Sequence, residues 1–303
     1  MTRSFLIFAL VTACAAARPV PPADDSDAVA PFELLIESGN LSEAQSALET
    51  YTAQHVDSWR AQYQLGYVYF RLHHFQLSVD RICKSLVINV DFAESHKILA
   101  YDLNILGHPE RAIIELERAI HIDPASAESH YELGRIYYDQ GSYVQAIEHL
   151  EKAKSLLPNS VRTYHNLGLA YAAVSEKSKG VENFEEGLRR NRLQPKPSAW
   201  PLIDYATYFN LEGQFEKARG MLLEAITIDP NWDQAFDELS KAYRGLGKIP
   251  ESIAALNHAI ALNRSKPEYH YVLAQLYRQT HRFTEAQEQL TLYRQAHPQG
   301  QKP

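Results

Sequence analysis

Apolar residues recur through most of the chain with the three- and four-residue spacing of amphipathic α-helices, in short stretches separated by polar turns. The motif Leu-Gly-x-x-Tyr sets the period of this pattern, because it begins at Leu65, Leu133 and Leu167, at separations of 68 and 34 residues. Related residues occupy the other 34-residue steps along the chain. A helical pattern that repeats with this fixed period predicts two helices joined by a turn in each repeat, and hence an all-α fold.

Glycine and proline keep the same phase. A Gly falls where the turn between the two helices is expected, since a residue without Cβ adopts a left-handed backbone readily. A Pro falls after the second helix, where it cannot continue the hydrogen-bond ladder. The glycines are Gly107, Gly141, Gly213 and Gly247, and the prolines are Pro124, Pro158, Pro230 and Pro298. One such helix pair cannot bury its apolar face alone, so we expect neighbouring repeats to stack.

These in-phase positions together resemble the tetratricopeptide repeat (TPR), and the resemblance covers about nine-tenths of the chain. It implies an all-α solenoid of helix-turn-helix repeats that forms a superhelix with a concave groove. A degenerate repeat is expected at 25–58, where Pro31 replaces a Leu. Four repeats are expected over 59–194 and three over 199–300, followed by a tail at 301–303.

Two features of the repeat array depart from the regular pattern. Residues 195–198, Pro-Lys-Pro-Ser, interrupt the 34-residue period and follow a repeat in which Gly180 and Gly187 replace Ala. The insertion is either a hinge that divides the array or a tolerated loop with unchanged stacking. In the last repeat, Tyr293 stands where interior repeats carry a small residue. We therefore expect the C-terminal face to be capped by its own bulky residues or by another chain.

The N-terminal residues are predicted to lie outside the fold. Residues 1–17 have a positive start and a short apolar core, which is typical of a secretory signal peptide and too short for a membrane-spanning helix. Residues 18–24 form a Pro-rich tether. Cleavage at an Ala-x-Ala site before Arg18 is one possibility. The other is a bacterial lipobox that ends at Cys14, which would be lipidated and would anchor the protein to a membrane.

The composition argues against several classes of function. Lys and Arg number 30 against 37 for Asp and Glu, and this net charge of -7 disfavours a nucleic-acid partner. The chain has two cysteines and no recognisable motif for metal binding, nucleophilic catalysis or phosphate binding. We therefore predict a protein that is not an enzyme and that needs no metal and no cofactor.

The TPR resemblance implies that the first helix of each repeat lines the groove through its positions 2, 5, 9 and 12. Aromatic residues concentrate at these positions in the N-terminal half, which we expect to bind a protein or peptide partner. The candidate binding residues are Tyr63, Tyr67, Phe70, Tyr101, Tyr131 and Tyr138. Tyr67 and Tyr101 are the most informative, because the family usually has Asn at position 9.

The known carboxylate clamp of some TPR proteins is not expected here, because Asn166 is the only Asn at position 6 and its neighbouring repeats lack the basic partners. The sequence as a whole favours an exported, non-enzymatic scaffold of the cell envelope, periplasmic or lipid-anchored to the outer membrane and otherwise secreted, that binds a partner along its groove. The alternative is an envelope assembly factor that associates with itself through its uncapped C-terminal repeat, giving a homo-oligomer.

Overall fold

The computed structural model describes residues 25–296, and within that range the chain forms sixteen α-helices and no β-strand. The all-α repeat fold predicted from the sequence is confirmed. Each expected repeat contains two consecutive helices. The helices are α1 (Ser26–Glu37), α2 (Leu41–Gln54), α3 (Trp59–Arg71), α4 (Phe75–Ile88), α5 (Ala93–Ile105), α6 (Pro109–Ile122), α7 (Ala127–Asp139), α8 (Tyr143–Leu156), α9 (Val161–Ala173), α10 (Lys177–Arg192), α11 (Trp200–Leu211), α12 (Phe215–Ile228), α13 (Asp233–Gly245), α14 (Ile249–Leu262), α15 (Pro267–Gln279) and α16 (Phe283–Ala296).

The turn inside each helix pair contains a residue with a left-handed backbone. Glycine supplies it in five pairs, with Gly107 at φ 82° as one example. In the other three pairs a residue with a side chain adopts the same conformation, namely His73, Ser175 and His281, with φ between 59° and 64°. The turn is therefore a property of the repeat, and glycine makes it easier to form without being required for it.

Small residues allow the two helices of a pair to pack closely. A Cβ placed on Gly134 of α7 would lie 2.7 Å from Leu150 Cγ and 3.1 Å from the carbonyl oxygen of Ala146, both on α8. Gly180 of α10 has a similar role, since a Cβ placed on it would lie 3.0 Å from the carbonyl oxygen of Gly168 on α9. The close approach of the backbones therefore explains glycine at these positions.

Within the described residues the chain divides into two compact units, an N-terminal unit that ends at Pro158 and a C-terminal unit that begins at Asn159. Buried aliphatic side chains from consecutive pairs form the core of each unit. In the N-terminal unit, Ile82 of α4, Leu99 of α5 and Leu116 of α6 belong to one buried cluster.

The insertion at 195–198 lies within the C-terminal unit, between α10 and α11. The Asn191 side chain, which is only 1% exposed, spans it by accepting a hydrogen bond from the Ser198 N–H and donating one to the Ser198 carbonyl. Leu188 and Leu202 on either side belong to the same buried cluster. This packing is what the loop interpretation expects, and a hinge at this place stays a prediction.

The predicted signal peptide, the tether, Cys14 and the tail at 301–303 lie outside the described residues. Among residues 25–296, every helix is too short or too polar to cross a membrane. The degenerate repeat at 25–58 does form two helices, and α1 continues through Pro31.

Candidate partner-binding surface

The six candidate binding residues all lie on first helices of the N-terminal unit. Tyr63, Tyr67 and Phe70 are on α3, Tyr101 is on α5, and the remaining two are on α7. The 34-residue period thus places residues that are distant in the chain on equivalent positions of neighbouring helix pairs.

Four of the six residues form a continuous group of rings, which we call the aromatic patch: Tyr63, Tyr67, Phe70 and Tyr101. The ring centroids of Tyr63 and Tyr67 lie 6.3 Å apart, those of Tyr67 and Phe70 lie 6.4 Å apart, and those of Phe70 and Tyr101 lie 5.9 Å apart. All four rings are half-buried and pack against the buried core of α4–α7. Their inner edges are held by the core while part of each ring remains accessible.

Tyr131 and Tyr138 have different surroundings. Tyr131 is only 8% exposed, so it offers little surface to a partner. Tyr138 is half-buried and lies 5.5 Å from the ring of Tyr143 at the start of α8. Position within the repeat predicts the helix and the face, but the neighbouring side chains decide how much of each ring is accessible.

Polar groups border the aromatic patch. The Arg71 guanidinium lies 5.7 Å from the centre of the Tyr67 ring and donates a hydrogen bond of 3.2 Å to its hydroxyl oxygen. The Tyr101 hydroxyl donates to Glu128 Oε1 at 3.4 Å. These contacts orient two of the rings without covering their faces completely.

Tyr63 lies among aromatic and acidic neighbours. Its ring packs edge-to-face against Phe92 with the centroids 4.9 Å apart. Burial raises the pKa of the Tyr63 hydroxyl, and the charges of Glu94 and Glu33 add to the rise. Tyr63 therefore remains a neutral hydrogen-bonding group at physiological pH.

Sequence reasoning missed a second polar feature, which joins the two helices within a repeat. In four repeats, the fourth position of the first helix contacts a polar side chain nineteen residues later on the second helix. The pairs are Gln62–Arg81 (3.3 Å), His96–Glu115 (2.6 Å), His130–His149 (3.1 Å) and His270–Gln289 (2.7 Å). The tetrapeptide Ala-Glu-Ser-His occurs at 93–96 and again 34 residues later at 127–130, which was the signal available in the sequence.

The His130–His149 contact holds one proton between two rings. Because Nδ1 of each ring faces the other, one nitrogen must donate and the other must accept. Burial lowers the pKa of both histidines, and for His130 the charge of His149 lowers it further. The hydrogen bond between the two rings therefore forms only when at least one of the rings is neutral.

Asp102, which follows Tyr101 in the sequence, has a buried carboxyl group. Its side chain is 0% exposed, and neither carboxyl oxygen has a hydrogen-bond partner among the described residues. Burial raises its pKa to about 7, and the nearby Ser78 opposes this rise although its hydroxyl lacks hydrogen-bond geometry to Asp102. Asp102 is thus protonated over part of the physiological pH range.

The first helices of the C-terminal unit carry several charged groups, and α11 also carries a cluster of aromatic rings. Lys241 Nζ lies 2.9 Å from Asp237 Oδ2 and 2.7 Å from Glu238 Oε1. Burial and the charge of Glu238 raise the pKa of Asp204 to about 6. Burial lowers the pKa of the neighbouring His165 to about 4. Among residues 25–296, no three His, Cys, Asp or Glu side chains converge as metal ligands would.

The stacked helix pairs and their first-helix surfaces define a helical repeat protein. A family model described as TPR repeat matches residues 103–141, 134–174 and 241–280, and a second, described as tetratricopeptide repeat, matches residues 32–87. Together these matches cover more than half of the chain. The chain therefore belongs to the tetratricopeptide repeat family, whose domains bind protein or peptide partners. The matching models describe repeats and not a catalytic domain.

Solved structures of other proteins share the fold. The chain is 25% identical to MamA, with 53% of this chain and 94% of that chain covered and a TM-score of 0.50. It is 22% identical to PilF of Pseudomonas aeruginosa, with 72% and 97% covered and a TM-score of 0.59. A tetratricopeptide repeat protein from Parabacteroides merdae is 14% identical, with 82% and 96% covered and a TM-score of 0.65. A search of curated protein sequences gives no match to the chain.

Proposed function

We propose that this protein is a non-enzymatic scaffold that binds an extended segment of a protein partner across the aromatic patch. The observation that carries the proposal is the continuity of Tyr63, Tyr67, Phe70 and Tyr101, four half-buried rings on adjacent first helices. Rings that the core already holds lose little freedom on binding, and buried aromatic residues contribute about 2 kcal/mol or more at interface hot spots.

Partner capture with paired variants tests this proposal. Cross-linking in native extracts should capture a partner with the wild-type chain. The variant that combines Tyr67→Ala with Tyr101→Ala should no longer capture that partner. Tyr137→Ala is the matched control, since Tyr137 is also half-buried on α7 but faces His149 and Glu117 between helices. Circular dichroism first establishes that all variants fold. A partner retained equally by the double variant and the control would contradict the proposal.

We also propose that the scaffold is exported and works in the cell envelope, either periplasmic or attached to the outer membrane through lipid on Cys14. The support is the signal-like pattern of residues 1–17. Intact-mass measurement of the membrane-extracted protein should show a diacyl or triacyl adduct on Cys14. A mature chain that begins at Arg18 would exclude the lipid anchor, and an unprocessed chain would exclude export.

Self-association through the C-terminal repeat is the second candidate function. Phe283 and Leu292 are 64% and 44% exposed on α16 and could form a contact between copies. Tyr293, however, is buried and its ring packs 5.3 Å from that of Tyr271 in the same helix pair, so this residue is already covered within the chain. A monomeric mass at tens of micromolar protein would end this alternative.

A further inference from the structure

Carboxylates border the aromatic patch from three different first helices. The charges of Glu33 on α1 and Glu94 on α5 both act on the Tyr63 hydroxyl. Glu128 on α7 lies 3.4 Å from the Tyr101 hydroxyl. Carboxylates therefore border the aromatic patch on several sides, and the chain as a whole carries a net charge of -7.

The cations of the same surface are already engaged within the chain. Lys97 Nζ pairs with Glu94 Oε2 at 2.5 Å, and the Arg71 guanidinium lies against the Tyr67 ring. Glu33, in contrast, is exposed and forms no hydrogen bond or ion pair with another residue in the range 25–296. The contact of Arg71 also shows that a ring of the aromatic patch accepts a guanidinium on its face, which is a favourable cation–π arrangement.

We infer that the aromatic patch recognises a basic segment, in which Arg or Lys side chains lie against the tyrosine rings and Glu33 and Glu128 provide the opposite charge. The inference rests on the proposed function, because it names the chemistry of the partner for the same surface. Complementary charge would both speed association and select against acidic segments. An extended segment can present its basic side chains to successive helix pairs.

Binding of defined peptides to the full chain tests this inference. The probes are fluorescent peptides of identical Ser, Pro and Leu content that carry in addition Arg, Lys, Glu or none of these. We expect the Arg and Lys peptides to bind at least about tenfold more tightly than the Glu peptide, with the difference shrinking as salt is raised. Glu33→Gln combined with Glu128→Gln should remove most of this preference, and it leaves the Glu94–Lys97 ion pair intact. Glu110→Gln, at an exposed position at the start of α6, is the matched control and should preserve it.

The outcomes separate this inference from the proposed function. If all four peptides bind equally, or if the preference for basic peptides survives in the double Gln variant, the inference is wrong. In either case, a loss of natural-partner capture in the Tyr67→Ala/Tyr101→Ala variant would leave the proposed function standing. If the basic peptides bind the tyrosine variant as tightly as the wild type, they bind elsewhere and the inference is again wrong.

Discussion

Single side chains make the stability of the N-terminal unit depend on pH, and Asp102 is the clearest case. Its pKa is about 7 in the folded chain against 3.8 for an ordinary Asp, so the folded state retains a proton that the unfolded state has lost between these values. The free energy of unfolding therefore falls as pH rises from 3.8 to about 7, and the full decrease is present above pH 7. A pKa shift of this size lowers the free energy of unfolding by at most about 4 kcal/mol.

Asp102→Asn should therefore stabilise the protein at pH 8 by a few kcal/mol at most and much less at pH 5. Urea unfolding at the two pH values measures the difference in the free energy of unfolding. Asp57→Asn, at an exposed position, is the control and should change little at either pH. Equal stabilisation by Asp102→Asn at pH 5 and pH 8 would mean that the Asp102 carboxyl does not titrate as described.

The histidine pair at His130 and His149 should act in the opposite direction. Both pKa values are lowered by burial, so the unfolded chain binds more protons than the folded chain as pH falls below the ordinary value of 6.5. Stability is therefore lost on acidification. His149→Gln introduces the partner that Gln289 provides for His270 in the last repeat, and it should reduce this loss. Thermal unfolding between pH 7 and pH 5 measures this loss of stability. If the midpoint temperature of His149→Gln falls with pH as steeply as that of the wild type, the pair is not the cause of the loss.

At the residue scale, the sequence predicted the helix on which each candidate binding residue lies, because this follows from the 34-residue period. The sequence did not predict that Tyr131 is only 8% exposed, since exposure depends on side chains that are distant in the chain. It also did not reveal that Asp102 is buried without a hydrogen-bond partner, because a lone Asp in an amphipathic pattern is usually exposed.

At the scale of helices, the glycines that lie inside helices include two kinds. Gly134 lies where helix backbones approach closely, and an added methyl group would contact Leu150 and the carbonyl oxygen of Ala146. Gly220 is also helical, on α12, but an added Cβ would have no neighbouring atom within 4 Å. The sequence period identifies the first kind, since Gly134 shares its position in the repeat with Gly66 and Gly168.

Gly134→Ala and Gly220→Ala should consequently have opposite effects. Gly134→Ala should destabilise the protein by about 1–3 kcal/mol, because overpacking exceeds the gain in helix propensity. Gly220→Ala should stabilise it by up to about 1 kcal/mol, because only the propensity changes. Chemical denaturation of both variants beside the wild type provides the test. Stabilisation by Gly134→Ala would show that α7 and α8 do not pack as closely as described.

The positions of the helices were largely predictable, whereas the details of their turns were not. Proline and the turn glycines mark helix ends in several of the repeats because they act on the local backbone. The left-handed turn residues His73, Ser175 and His281 carry no such mark, since the surrounding repeat imposes their conformation. For residues 195–198 the sequence did not decide between a hinge and a loop. The two hydrogen bonds by which Asn191 spans the insertion are visible only in the structure.

For the molecule as a whole, the repeat period predicted the family and the fold but not the division at Pro158 and Asn159. Pro158 closes its repeat just as Pro124 and Pro230 close theirs, so nothing in the local pattern distinguishes this boundary. Part of the contrast between the two units was visible in the sequence, because positions 5, 9 and 12 of the first helices are largely aromatic in the repeats at 59–160 and mostly polar or charged in the later repeats. The aromatic patch lies entirely within the N-terminal unit.

Site-specific photo-cross-linking in living cells shows whether a partner binds at the aromatic patch. A benzoylphenylalanine placed at position 67 or 101 lies on the aromatic patch, and one placed at position 144 replaces Val144, which is 72% exposed on the second helix α8. We predict that irradiation joins the same partner to positions 67 and 101 and not to position 144. A partner joined to position 144 and to neither position of the aromatic patch would contradict the account.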